Sequence, residues 1–341
     1  YSPGKPIEEV KRELGLEDIT KMASNENVLG PSPRAVEAMR AAAESVYLYP
    51  DGSWFRLRQA LAQRLAVSSE SIIVGNGSDE IIHFLGLTFL NPEDEMIQAD
   101  PSFVRYEAAA GLNLAKCHLV PLRDFTHDLV AMREAVNDRT KLVFIASPNN
   151  PTGTVNTKAE VDAFLADLPA HVLTVFDEAY KEYVEAPDYP ETLDYVREDR
   201  NVIVLRTFSK AYALAGLRVG YGIAPPDLIG YLNQVREPFN VSSIAQEAAI
   251  ASLADDDQVK RARAMNSAGK RYLYAQFEAL GLAYVPTEAN FVFVDVGRDC
   301  MDVFHALMRL GVIVRAGLGM PTHVRVTIGR QEDNERPSQT H

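Results

Sequence analysis

The chain is poor in cysteine, has no long apolar run and is short of positive charge. Each shortage removes a class of protein. Cys117 and Cys300 are the only cysteines in 341 residues, far apart and in no metal-like spacing. That usage argues against a disulfide framework or a zinc site and fits a reducing, cytoplasmic setting. No apolar run reaches the ~18 residues of a membrane span; the longest, Ile81–Leu90, is about half that and reads as a buried helix. Lys and Arg number 34 against 47 Asp and Glu, a net charge of −13. Nucleic acid and anionic membranes are therefore poor partners. Any site for an anionic ligand must be made locally positive by a few arginines. No charged segment followed by an apolar one opens the chain, so no signal peptide is expected; with Tyr1 first in place of Met, a few residues are expected to be missing there.

Nucleotide signatures are missing too. In GNGSDE, Glu80 stands where G-x-G-x-x-G needs its last glycine, and no G-x-x-x-x-G-K-[ST] occurs. No basic helix-turn-helix marks a regulator that merely binds a metabolite. There are no internal repeats and no low-complexity segment.

What is present is a globular composition, 47% hydrophobic and 24% charged. The length suits one large domain plus a smaller one. Short apolar runs alternate with polar loops and helical stretches: Ser71–Val74 before GNGSDE, Glu95–Ala99 before DPSFVRYE, Lys141–Ala146 before SPNNPTG, Val172–Phe176 before DEAY, Val202–Leu205 before RTFSK. Strands alternating with helices predict an α/β fold with a mostly parallel sheet flanked by helices. In such sheets ligands sit beyond the carboxyl ends of the strands, where every one of these polar clusters falls. From about Ser242 a long charged helical stretch leads to NFVFVDV, GVIVRAG and HVRVTIG, which read as a smaller α+β domain. The expected division is a large domain over 34–241, with 1–33 and 242–341 forming an N-terminal arm and the small domain.

The segment VIVLRTFSKAYALAGLRVGY sets Lys210 between an apolar strand and an apolar stretch read as a helix. Thr207, Ser209 and Arg218 surround it with two hydroxyls and a guanidinium, a set that suits a phosphate. A lysine beside a bound phosphate at a strand end is placed as a Schiff-base lysine of pyridoxal 5′-phosphate would be; burial would help it shed its proton and act as a nucleophile. That cofactor also needs a carboxylate at its pyridine nitrogen, for which Asp177 is placed. Asn150 and Tyr180 could donate to its phenolic oxygen. Gly77, Ser78 and Asp79 offer a helix N-terminus to its phosphate, and Phe103 an aromatic lid to its ring. Singly these residues have plainer readings: a surface lysine, a helix cap, a turn, a core aromatic. Their order, each at a strand end, gives them weight together.

These segments, with ASNENVLGPSP, YLYPDG and HVRVTIG, cover nearly the whole chain, and it resembles the fold-type I pyridoxal-phosphate-dependent aminotransferases. The opening YSPGKPIEEVKRELGL and the ASNENVLGPSP loop resemble, within them, the histidinol-phosphate aminotransferase branch. The resemblance implies that Lys210 carries the cofactor and shuttles a proton, that Asp177 pairs with the pyridinium nitrogen, and that Asn150, Tyr180, Phe103, Gly77–Asp79, Thr207, Ser209 and Arg218 hold it. It implies a homodimer in which Tyr49 reaches the cofactor phosphate of the other subunit. For the substrate it implies Arg325 as the anion grip, Arg315 as a weaker second grip, Tyr1 closing over the substrate phosphate, and Asn27 in an intact N-E-N loop. The implied reaction transfers the amino group of L-histidinol phosphate to 2-oxoglutarate, giving L-glutamate, in histidine biosynthesis. Aromatic amino-acid aminotransferases and a threonine-phosphate decarboxylase share the cofactor motifs, so these stay open. Two departures stand out: Val28 replaces the usual proline of the loop, and GRQEDNERPSQTH starts like the family's last helix and then lacks apolar residues.

Overall fold

The computed structural model describes residues 6–338. β1 (Thr20–Lys21) lies near the amino end. The next strands, β2 (Ile72–Gly75), β3 (Glu95–Asp100), β4 (Lys116–Pro121), β5 (Thr140–Ala146), β6 (Leu173–Asp177), β7 (Val202–Thr207) and β8 (Gly220–Ile223), build a 7-stranded sheet in the order β2-β8-β7-β6-β5-β3-β4. Only β8 runs against its neighbours β7 and β2; the other pairings are parallel. The expectation of a mostly parallel sheet is met. The central strands are continuous runs of Val, Ile, Leu and Phe rather than alternating ones, because helices cover both faces; β6 and β7 are buried along their whole length.

The parallel strands leave their carboxyl ends on one edge. Gly75, Asp100, Ala146, Asp177 and Thr207 end there, each followed by one of the polar loops. The helix Ser78–Phe89 fills the position read for a buried helix, with Ile81, Ile82, Phe84 and Leu85 inside.

Two expectations need correction. Residues after Lys210 do not form a helix. They turn through a short 3-10 segment, Ala215–Leu217, and enter β8. An antiparallel neighbour needs only a brief connection, and the apolar Ala211, Tyr212, Leu214 and Val219 are buried within it. The second concerns the helix Ser243–Leu253, which the composition shift at Ser242 assigns to the small domain. Its Ala245, Ala248, Ala249 and Leu253 join the large core, beside the helices Pro33–Ala43 and Phe55–Leu65. The chain leaves the large core one helix later than the composition shift suggested.

The small domain draws on both ends of the chain. β9 (Tyr284–Val285), β10 (Phe291–Asp295) and β12 (His323–Thr327) form an antiparallel sheet in the order β12-β10-β9. β11 (Val312–Ile313) pairs in parallel with β1. Met22 packs with Leu273, Val292, Val324 and Val326 in one core. The C-terminal helix forms as Gln331–Ser338 despite its polarity. It docks through Asn334, whose amide accepts from Gly329 N at 2.8 Å and donates to Gly329 O at 3.0 Å. Among the described residues no helix is long and apolar enough to cross a membrane.

Candidate active site

A cavity of about 590 Å³ opens at the carboxyl edge of the large sheet and is walled on one side by the small domain. Asp177, Thr207, Ser209 and Lys210 line it from the sheet, Ala23–Glu26 from the N-terminal loop, and Arg315 and Arg325 from the small domain.

Lys210 follows β7 by three residues, so its backbone is fixed by the sheet. Its Nζ donates to Ser24 O at 3.1 Å and lies 5.7 Å from the ring centre of Tyr180. Burial, then the cations Arg325 and Arg218, push its pKa down to about 8 against the pull of Glu26 and Asp79. A substantial share is neutral amine near physiological pH, as a nucleophile requires.

Asp177 is the last residue of β6 and is 5% exposed. Tyr106 Oη donates to its Oδ2 at 2.7 Å and Ala179 N to its Oδ1 at 3.2 Å. Burial pushes its pKa up to about 6, with the neighbouring carboxylates Asp79 and Glu178 adding to the rise. Among the described residues no basic side chain pairs with it. A buried carboxylate that faces the cavity with no basic side chain paired to it suits a cationic ligand atom such as a protonated pyridine nitrogen.

The phosphate-suited groups converge next to it. Ser209 N donates to Thr207 Oγ1 at 3.1 Å, Thr207 Oγ1 to Ser209 Oγ at 3.0 Å, and Arg218 Nη1 to Ser209 Oγ at 3.3 Å. Arg218 Nη2 lies 3.5 Å from Asp79 Oδ2, which sits in the first turn of the helix Ser78–Phe89. The helix N-terminus and the guanidinium together form an anion cradle. Gly77 makes it possible: its φ is +73°, and a Cβ there would stand 2.5 Å from Arg218 Nη2. Gly220 in β8 lets that strand pass under the helix start, since its Cβ would meet Ser78 N at 2.5 Å.

Arg325 Nη1 donates to Asn150 Oδ1 and Nη2 to Ala23 O, and its guanidinium lies 5.2 Å from the Phe291 ring. With Oδ1 occupied, Asn150 presents its NH₂ as donor. Tyr180 Oη accepts from Asn25 Nδ2 at 2.9 Å. Arg315 and Arg325 face each other across an antiparallel bridge, Arg325 N to Arg315 O at 2.7 Å, which brings both to one side of the cavity. Phe103 lines the cavity edge-on to Tyr106, 5.6 Å between ring centres.

Two expected residues stand apart, and a third is not among those described. Asn27 does not line the cavity: its Nδ2 donates to Ala211 O at 2.8 Å and its Oδ1 accepts from Leu29 N, so it braces the loop after Lys210. Tyr49 is 82% exposed, away from this cavity, and stacks on Phe239. Tyr1 lies outside the described residues. The sequence reading also missed Tyr106 and Asn25. Asn25 ties Tyr180 to Thr327 and Asn290, contacts spread over the whole chain. Only its place in the N-E-N loop hinted at it.

The geometry can be set beside known proteins. The model of the family described as Aminotransferase class I and II matches residues 17–337. Over 338 residues the chain is 56% identical to the histidinol-phosphate aminotransferase of Moorella thermoacetica, covering 98% of this chain and 88% of that one. It is 49% identical to histidinol-phosphate aminotransferase 1 of Nitrosococcus oceani, over 98% and 91% of the two chains. The crystal structure of histidinol-phosphate aminotransferase from Sinorhizobium meliloti, in complex with pyridoxal-5′-phosphate, superposes with a TM-score of 0.92 at 29% identity, covering 99% and 94%. Aspartate aminotransferase from Thermus thermophilus with maleate gives 0.86 at 25% identity, covering 99% and 97%. A lysine whose pKa is lowered by burial, a carboxylate with no basic side chain paired to it and an anion cradle in one cavity agree with a match that runs almost end to end, and the chain belongs to the class I and II aminotransferase family.

Proposed function

We propose that this chain is a pyridoxal 5′-phosphate-dependent transaminase that takes the amino group from L-histidinol phosphate and passes it to 2-oxoglutarate, forming L-glutamate, in histidine biosynthesis. The observation that carries the reading is that Lys210, Asp177 and the Ser209–Arg218 cradle face the same cavity as a second cationic site, Arg315 and Arg325. The histidinol-phosphate aminotransferases at 56% and 49% identity support this donor substrate.

Bound there, the cofactor supplies an electron sink that acidifies the C–H of the amine-bearing carbon. The chain does the rest. Thr207, Ser209, Arg218 and the N-H groups at Gly77–Asp79 would hold the cofactor phosphate. Asp177, kept in place by Tyr106, would hold a proton at the ring nitrogen. Asn150 and Tyr180 would donate to the phenolic oxygen, and Phe103 would cover the ring. Lys210 would hold the cofactor through its neutral amine and would move a proton at the substrate carbon. Arg325, with Arg315, would take the phosphate of one substrate and a carboxylate of the other; the planar guanidinium suits both anions.

The reading includes a cytoplasmic homodimer. Tyr49 and Phe239 form an exposed aromatic pair beside the exposed Val46, Tyr47 and Leu48, a surface suited to a second copy. Tyr49 would serve the partner's cofactor phosphate and Tyr1 would close over the substrate.

The test is a half-reaction. The purified cofactor-loaded protein is mixed separately with L-histidinol phosphate and with L-phenylalanine, without acceptor, and the absorbance of the lysine-bound cofactor is followed. Fast, saturable loss with histidinol phosphate and little with phenylalanine is expected. The reverse preference would move the substrate to aromatic amino acids.

A further inference from the structure

The N-E-N loop leaves one charge that the reaction has not used. Asn25 is committed to Tyr180, Thr327 and Asn290, and Asn27 to Ala211 and Leu29. These bonds pin the loop on both sides of Glu26. Glu26 lines the cavity, with its side chain 43% exposed. Its Oε1 pairs with Lys21 Nζ at 2.8 Å, and Lys21 lies on β1 outside the cavity lining. The other acids near the cofactor cradle have tasks already: Asp79 lies beside Arg218 and Asp177 accepts from Tyr106.

Histidinol phosphate differs from an aromatic amine of similar shape in its ring N–H. Arg325 and Arg315 suit the phosphate, and Lys210 meets the amine. The imidazole N–H still needs an acceptor, and an ionised carboxylate accepts only. A charge-assisted bond to it is stronger than a neutral one. A phenyl ring in the same place would cover the carboxylate and return nothing, which is how a polar site rejects an apolar analogue.

We propose that Glu26 is the residue that recognises the donor ring, its carboxylate accepting the imidazole N–H while Lys21 stays at its other side. Lys21 also neutralises Glu26 toward a dicarboxylate second substrate, so one site accepts both. The proposal rests on the histidinol-phosphate reading above.

The test compares L-histidinol phosphate with L-phenylalaninol phosphate, which keeps the amine and phosphate and lacks the ring N–H. With the cofactor-loaded enzyme, Glu26→Leu should lower kcat/KM for histidinol phosphate roughly 10- to 100-fold more than for phenylalaninol phosphate, mainly through KM. Glu26→Gln, which keeps an acceptor oxygen without charge, should fall between. Glu107→Gln, a change to another acid of the cavity wall, should leave the ratio of the two substrates unmoved. An equal loss on both substrates in Glu26→Leu would mean that Glu26 acts only through Lys210 or the loop, and would overturn the proposal. So would an unchanged ratio. If the unaltered enzyme fails on histidinol phosphate altogether, the substrate reading has failed instead.

Discussion

Tyr106 Oη reaches Asp177 Oδ2 at 2.7 Å across a sequence separation of 71 residues. Tyr106 is itself clamped, stacked on Phe144 with 4.4 Å between ring centres and edge-on to Phe103. The phenol therefore fixes one carboxylate oxygen and aims the carboxylate at the cavity. Tyr106→Phe would leave Ala179 N as the remaining donor among those described. A hydrogen bond to a charged group is worth about 1.5–3 kcal/mol. We expect kcat to fall roughly 10- to 100-fold with the fold retained, checked by steady-state kinetics beside a thermal melt.

Asp177 trades stability for function. Its folded pKa near 6 lies above the ordinary 3.8, so the fold holds the proton more tightly than the unfolded chain does. That contribution is fully present below pH 3.8 and is lost as pH rises through 6. In the cofactor-free protein the ionised group costs on the order of 3 kcal/mol at neutral pH. Asp177→Asn, whose Oδ1 can still accept from Tyr106, should make the cofactor-free protein more stable at pH 7.5 and no more stable at pH 3.5, by urea unfolding. Its turnover should fall by orders of magnitude, because the ring nitrogen loses its anion.

The amine of Lys210 should titrate near 8. The rate at which cofactor-free protein captures pyridoxal 5′-phosphate should rise with pH through that midpoint, followed by stopped-flow absorbance. A midpoint at the ordinary lysine value of about 10.4 would contradict it. Lys210→Ala should still bind the cofactor, yet borohydride should no longer fix it to the chain, and turnover should vanish.

Arg325 lines the cavity and donates to Asn150 Oδ1 and Ala23 O, and the proposed function gives it the substrate anion as well. Lysine cannot reproduce the fork. Arg325→Lys should raise KM for both substrates by about two orders of magnitude, roughly 2.7 kcal/mol. Loss on one substrate alone would show that the two anions use different cations.

Gly77 offers a test that replaces no functional side chain and acts through Arg218 alone. Ala there would place its Cβ 2.5 Å from Arg218 Nη2 at a φ of +73°. The guanidinium must swing out and the cradle loosens. Cofactor dissociation, measured by dialysis and by fluorescence, should be at least tenfold faster in Gly77→Ala, about 1.4 kcal/mol, with a smaller change in the melting temperature of the cofactor-free protein.

Much of the site was legible in the residues. The apolar runs at β5, β6 and β7 are local signals, and Asn150, Asp177, Thr207 and Ser209 follow or end them directly. The helix start at Gly77–Asp79 was readable for the same reason. Errors came where apolar pattern and structure part company. AYALAGLRVG is apolar enough for a helix, yet it is a buried connection, because the antiparallel β8 demands a short path back. The helix Ser243–Leu253 opens a polar, helical stretch, and only its alanines against Pro33–Ala43 assign it to the large core. Asn27 shares the motif that carries Asn25 and Glu26 but points to Ala211.

By itself the sequence determined the alternation of strands and helices, the edge on which the chemistry lies and the kinds of side chain brought there, since each depends on neighbours a few residues apart. Tertiary structure alone decided which atoms meet: Tyr106 with Asp177, Asn25 with Tyr180, Arg325 near Lys210. Burial in the folded chain sets the Asp177 carboxylate above its ordinary pKa, against the Tyr106 bond, and burial together with Arg325 sets the Lys210 amine below it. The physical reason is that desolvation and Coulomb forces act through space, and only the folded chain brings residues from both domains within their reach.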